Sequence, residues 1–248
     1  MSRSNPTENA PNPASRWFEW NGAKGHFRYY DKEKKQRIDL APDFTFILLD
    51  RLVSVRGWHE ASESGIISNE VRDTREEPMV VKAFKGGKLA AGLYAEIRDS
   101  IVAAGGHFTT TLYCAFKKDK ELVLGAVQLK GAALSAWFEF EKVNRKAVYK
   151  QAVCVKGSKK GKKGKVEFCV PVFSLVPISE ATNKEATFLD QELQEYLKEY
   201  FSHTRINPPV PAERAQPDPE FPEDESPEPE EPPVEPEAEP TPDDDVPF

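Results

Sequence analysis

The sequence predicts a mostly β domain with one helix in mid-order and another after the last strand. Three observations carry this. Short aromatic and β-branched stretches recur along the first 175 residues, punctuated by Gly, Pro and charged turns. One intervening stretch changes to a four-residue period. A long amphipathic stretch then closes the body, just before an abrupt change of composition.

In chain order, residues 1–15 are polar with three prolines and read as a flexible N-terminus. Phe27–Tyr30 is a short aromatic strand. Phe44–Val55 is a long one, with Gly57 just after it. Met79–Phe84 is a third, closed by Gly86-Gly87. Leu89, Leu93, Ile97 and Ile101 recur every four residues and predict a helix of about four turns, stopped by Gly105-Gly106. His107–Phe116 alternates as a strand, and Leu122–Leu129 follows after the turn KKDKE. Residues 131–142 read as a short helix. Ala147–Val155 and Val166–Phe173 read as two strands joined by a Gly/Lys loop. Lys184–Phe201 is a helix with Phe188, Leu189, Leu193, Tyr196, Leu197 and Tyr200 on one stripe. Strands on both sides of a central helix suit an OB-fold-like five-stranded barrel with one central helix, an extra hairpin and a C-terminal helix. An α+β sandwich is the competing arrangement.

Composition divides the chain. The whole carries 34 Lys+Arg against 41 Asp+Glu, a net charge of −7. From Pro208 onward there are 15 acidic residues, one arginine and 14 of the 21 prolines. That segment is −14, which leaves residues 1–207 at +7. A segment so charged and so poor in apolar residues cannot offset its ordering entropy, so it is expected to be disordered. The organisation predicted is a flexible 1–15, a domain of OB type over 16–207, an acidic Pro-rich linker over 208–242 and a tip over 243–248. No apolar run approaches the roughly 18 residues of a membrane span, so no membrane partner is expected. Residues 1–15 hold no apolar stretch suited to a signal peptide. Cys114, Cys154 and Cys169 fit neither a zinc site nor a disulfide framework, and read as small core residues in a reducing cytoplasm.

The tip is Asp243-Asp244-Asp245-Val246-Pro247-Phe248. Three carboxylates run into an apolar end that can place a ring in a pocket and set negative charge against basic residues around it. A tether ahead of it would let it search for partners while the body is engaged. A solvated acidic tail serving solubility is the plainer reading, but it gives no reason for Val-Pro-Phe.

This tip and the Pro/acidic stretch before it resemble those of the bacterial single-stranded DNA-binding proteins, with Val in place of another branched aliphatic residue. The body shares architecture with that family rather than sequence. The combination is most similar to a phage-encoded single-stranded DNA-binding protein, which would act in the cytoplasm of a bacterial host cell. The resemblance implies that the body coats exposed strands in replication, recombination or repair. It also implies that the tip recruits other replication, recombination or repair proteins. DNA contacts in the body are therefore read from the residues themselves.

Lys156–Lys165, KGSKKGKKGK, places Lys156, Lys159, Lys160, Lys162, Lys163 and Lys165 in a loop whose glycines let it follow a phosphate backbone. Single-strand binding without sequence preference needs a basic groove with aromatic faces on which bases stack. Strand parity supplies candidates. In His107–Lys117 the even positions are apolar, and the odd ones include His107, Tyr113 and Lys117 on a face suited to binding. Lys82 puts Phe84 on a polar side, and Arg56 shares a face with Trp58. Trp20, Arg28 and Tyr30 cluster in WFEW and FRYY. Core packing is the alternative role for each aromatic.

No catalytic motif is present. The four histidines lack metal-ligand spacing, and there is no phosphate-binding loop, nucleophile elbow or HExxH. The reading is a non-enzymatic single-stranded DNA-binding protein with no cofactor. Its rivals are a DNA-processing enzyme such as a nuclease, and an adaptor, each carrying the same kind of tail.

Overall fold

The computed structural model describes residues 11–41 and 43–206. The predicted linker 208–242, the tip 243–248 and most of the predicted flexible N-terminus lie outside these residues. The described chain is mostly β, with eleven strands, three α-helices and one 3-10 turn. No described helix is long and apolar enough to cross a membrane.

The strands are β1 (Trp17–Asn21), β2 (His26–Asp31), β3 (Gln36–Asp39), β4 (Thr45–His59), β5 (Ser64–Ser68), β6 (Met79–Ala83), β7 (Gly87–Gly92), β8 (Gly106–Lys118), β9 (Glu121–Lys130), β10 (Ala152–Lys163) and β11 (Val166–Val176). The helices are α1 (Tyr94–Ala103), α2 (Gly131–Asn144) and α3 (Glu180–Ile206). One sheet runs β3-β2-β1-β9-β8-β4-β5-β6-β7, with β10 and β11 branching from β4. Its end strands do not pair with each other, so the sheet is open. Four strands beyond the seven predicted take part, β1, β3, β5 and β7. β1 runs parallel to β9, and β2 and β3 extend the sheet beyond it.

β4 is the spine. β8 pairs with it over Phe46–Gly57. On its other edge, β10 pairs with Thr45 and Phe46, and β5 pairs with Arg56–His59. A register shift between Leu48 and Asp50 exchanges the faces, so even positions face one core before it and odd positions afterwards. Phe46, Leu48, Leu112, Cys114, Phe116, Val127 and Trp137 form the largest core, under α2. Val53, Val55, Val81, Ile97 and Ile101 form a second, under α1. The opposite face carries Leu52, Tyr113, Leu124 and Ala126, all buried under Leu193 and Leu197 of α3. Gly57 sits where β4 passes the end of α1, and a side chain there would collide with the Gly105 carbonyl. Gly105 itself has a φ of 88°, a conformation that favours glycine.

Several expectations are corrected. The four-residue period from Leu89 is not one helix. Residues 87–92 form β7, hairpinned to β6 through Gly86-Gly87, and α1 begins only at Tyr94. Two turns of period four cannot be told from a short buried strand. β10 begins at Ala152 rather than 147, and the Gly/Lys segment is itself strand to Lys163, with only Gly164 and Lys165 in the turn. Phe188 lies off the buried stripe of α3 and is 70% exposed. Pro11–Ser15 are not loose. Ser15 N–H donates to the Leu124 carbonyl at 2.9 Å, and the Asn12 side-chain amide donates to Tyr113 Oη at 2.8 Å.

Tyr113 is fully buried, and its hydroxyl donates to Glu70 Oε2 at 2.7 Å. Burial, and next the nearby Glu70 carboxyl, hold the phenol well above its ordinary pKa, so it stays a donor. Glu70 N–H in turn donates to Tyr200 Oη of α3 at 2.8 Å. Asp50 on β4 accepts from both Arg72 amino groups at 2.9 and 2.7 Å, and from Gln194 of α3 at 3.1 Å. These bonds fix α3 across the sheet. Tyr113→Phe should cost about 1–3 kcal/mol, because it leaves Glu70 and Asn12 without a buried partner. Leu193→Ala should cost about 2–5 kcal/mol, from a cavity under the same helix. Urea unfolding of each variant measures both.

Candidate nucleic-acid interface

The register gathers four of the predicted residues. Arg56 opposes Ile67, and Ile67 opposes Lys82, which makes one row across β4, β5 and β6. Two residues along the strands, Trp58 opposes Gly65, and Phe84 N–H donates to the Gly65 carbonyl at 3.1 Å. Directly opposed residues share a face, and so do residues two apart on a strand. Arg56, Trp58, Lys82 and Phe84 therefore stand together on one face. Trp58 is 41% and Phe84 42% exposed.

Gly65 is buried and brings no side chain between the two aromatics. Their strands lie two spacings apart, about 10 Å. The same face continues onto β8 and β9. His107 opposes Arg56, and Thr109 opposes both Ser54 and Lys130. Burial, and secondarily the Lys130 charge, lower the His107 pKa, which keeps the imidazole neutral at pH 7. Arg56 Nε is buried and has no hydrogen-bond partner. Nearby on this face, Ser54 and Thr111 are fully buried, and their hydroxyls also lack partners. The arrangement offers cations and two aromatic planes at one end of a sheet face, which suits an anionic chain bearing flat bases.

Other predicted residues stand elsewhere. Tyr113 lies on this same face, as strand parity implied, but α3 covers it, so it is a core residue and not a stacking platform. Trp20 points to the opposite side. It is half-buried, edge-on to Phe27 at 5.0 Å, and its indole N–H donates to the Cys169 carbonyl at 2.8 Å. That indole ties β1 to β11. Arg28 and Tyr30 are on β2, away from the Trp58 row. Arg28 Nε donates to Glu19 at 2.7 Å, which offsets its charge, and Tyr30 is half-buried opposite Arg37. Lys117 is exposed at the far end of β8, in the lining of a separate, largely apolar cavity of about 700 Å3 formed by Phe44, Phe46, Ala115 and Ile178 among others. Lys156, Lys159, Lys160, Lys162, Lys163 and Lys165 are all exposed on the β10–β11 hairpin. Cys114 and Cys154 are buried, as expected for core residues, whereas Cys169 is only partly buried.

Sequence reading missed Gly65 and Lys130, and it placed His107 on the polar face without assigning it a contact. A lone glycine in SGIIS carries no signal until both its neighbours across the sheet are known. Among the described residues, no group of three or more His, Cys, Asp and Glu side chains is placed to hold a metal ion. Comparison with protein-family models, with curated proteins and with solved structures finds no match for this chain.

Trp58→Ala and Phe84→Ala should each weaken binding to oligo-dT by roughly 1–3 kcal/mol, the range for loss of one stacked base. Both aromatics are exposed, so urea unfolding should be little changed. Fluorescence anisotropy titrations at fixed salt measure the first effect. Equal affinity in all three proteins would remove this face from consideration.

Proposed function

We propose that this protein binds single-stranded DNA without chemically altering it, using the face that carries Arg56, Trp58, Lys82 and Phe84. The observation that carries the reading is their convergence. Arg56 and Trp58 of β4, Lys82 of β6 and Phe84 just after it meet around Gly65 of β5, with both aromatics open to solvent. The charge division agrees with it, since residues 1–207 are +7 and can neutralise phosphates. An OB-type origin for the sheet is part of this proposal. A long strand β4, a meander β5-β6-β7, a helix, and a return hairpin β8–β9 onto β4 follow one another in the order that such a barrel would use.

The second half of the proposal concerns Asp243–Phe248, which lie outside the described residues. Their sequence suits recruitment of replication, recombination or repair proteins, with Phe248 as the apolar anchor and Asp243, Asp244 and Asp245 acting through charge. Val246 and Pro247 complete the apolar end. The protein would then hold exposed strands with its body and bring partners to them with its tip.

Quenching of the four tryptophans by oligo-dT tests the first half. Saturable quenching, with the DNA recovered intact with and without magnesium, is the expected result. Cleaved DNA would favour a nuclease, and absence of quenching and of any anisotropy change an adaptor. Truncation after Asn207 should leave a folded body that binds oligo-dT more tightly at low salt. It removes −14 of charge that competes with phosphate, and the gain should shrink as salt rises. Deletion of Phe248 should leave oligo-dT affinity unchanged and abolish co-purification of replication proteins from a bacterial lysate. Retention of the same partners by that variant would sink the recruitment half alone.

A further inference from the structure

The β10–β11 hairpin stands apart from the face just described. β10 is fixed at its base, where Val153 and Cys154 pair with β4 and Val155 accepts from the Asp43 N–H and donates to the Phe44 carbonyl, both at 2.9 Å. Gly157, with a φ of 131°, lies in the register shift between Val155 and Ser158. Beyond it, Ser158–Lys163 pairs with Val166–Pro171 as a two-stranded ribbon, about 20 Å long at roughly 3.3 Å per residue. Its root is fastened at Cys169, whose N–H donates to the Gly22 carbonyl at 2.7 Å and whose carbonyl accepts from Trp20. The outer half, from Gly161 to Phe168, extends past that anchor by about 10 Å.

An isolated two-strand ribbon is marginal in water. This one is stiffened by Phe168, which opposes Gly161 with its ring lying where a Gly161 side chain would stand, within 2.6 Å of that position. The charge is distributed around it. Lys159 and Lys163 are on the Phe168 face, and Lys160 and Lys162 are on the opposite face. Lys165 is in the turn, and Glu167 is the ribbon's one acidic residue.

A single strand of DNA can pass over only one face of such a ribbon, which would leave half of these lysines idle. Charges on both faces fit a cleft with an anionic wall on each side. The major groove of B-form DNA is such a cleft, about 12 Å wide and 8.5 Å deep, and it admits a two-stranded ribbon. The groove of A-form RNA is too narrow to be entered in this way. We infer that the hairpin is an arm for double-stranded DNA, entering the major groove and neutralising phosphates on both walls. Lysines set against phosphates rather than base edges make that binding independent of sequence. Joined to the single-strand face, on whose reading this consequence alone rests, the arm directs the protein to junctions between single and double strands.

The test uses full-length protein and labelled oligo-dT, a blunt DNA duplex, an RNA duplex of the same sequence, and a DNA duplex with an oligo-dT overhang. The variant K159Q/K160Q/K162Q/K163Q is compared with wild type and with a control, K32Q/K34Q/K35Q, which removes charge from the exposed turn between β2 and β3. All seven side chains are exposed, and circular dichroism melting confirms that both variants fold. Wild type should bind the DNA duplex at low salt and prefer the overhang substrate. The hairpin variant should lose roughly tenfold or more on the DNA duplex, and its log–log salt slope there should fall by about 3–4, at roughly 0.9 per phosphate. Its oligo-dT affinity should stay within about twofold of wild type, as single-strand binding does not use the arm. No duplex binding by wild type would overturn the inference, as would equal affinity for the RNA duplex. Equal losses on duplex and oligo-dT would place the lysines in the single-strand site. Equal losses in the control variant would reduce the arm to bulk charge. Failure of wild type to bind oligo-dT would end the single-strand reading and leave the duplex result standing.

Discussion

The register of β4 against β8 is the constraint on which the rest depends. Eleven positions of β4 between Phe46 and Gly57 are matched to β8, and both edges of β4 are used. A slip of one residue would send Val53 and Val55 to the solvent face and Arg56 and Trp58 into the core beside α1. The register is therefore held by hydrophobic burial on one side and by the desolvation cost of a guanidinium on the other. The shift at Leu48–Asp50 lets one strand serve two cores, because it restores an apolar residue to the buried side where the pleat alone would not.

α3 decides which part of the other face is available. It lies over Leu52, Tyr113 and Ala126 and leaves the Trp58 end of the same face uncovered. Its placement rests on a few directional bonds as well as on Leu193 and Leu197. Gln194 reaches Asp50, Tyr200 reaches Glu70, and Glu70 accepts from Tyr113. A polar network of this kind fixes one arrangement more sharply than apolar contact alone, because any shift leaves buried groups unpaired. One continuous sheet face thus carries a packed core at one end and an aromatic, basic surface at the other.

Two basic features are built differently. The Trp58 face mixes cations with aromatic planes and is part of the central sheet. The β10–β11 ribbon has lysines on both faces, one ring spent on covering Gly161, and a single attachment near Cys169. Aromatic planes serve unpaired bases, whereas charge on two sides serves two phosphate walls. Both belong to residues 1–207, which are +7 within a chain of −7.

Local pattern determined a good deal. The long β-branched run became β4, the alternation in HFTTTLYCAF became β8, and the stripe at Leu193 and Leu197 became the buried line of α3. Strand parity put His107 with Tyr113 on one face of β8 and Arg56 with Trp58 on one face of β4, since a period of two is a property of the backbone alone, and the β4–β8 register joined the two faces. It could not say that α3 would cover Tyr113 and spare Trp58, because that depends on a helix about 80 residues away in the chain. Nor could it reveal β1, β3, β5 or β7, short segments of four to six residues that are held as strands by their neighbours. Gly65 acquired meaning only from Trp58 and Phe84 on adjacent strands, and Trp20 from a carbonyl 149 positions away. Periodicity records which side of its own element a residue takes. What lies against that side is a property of the packed whole, and only the tertiary structure decided it.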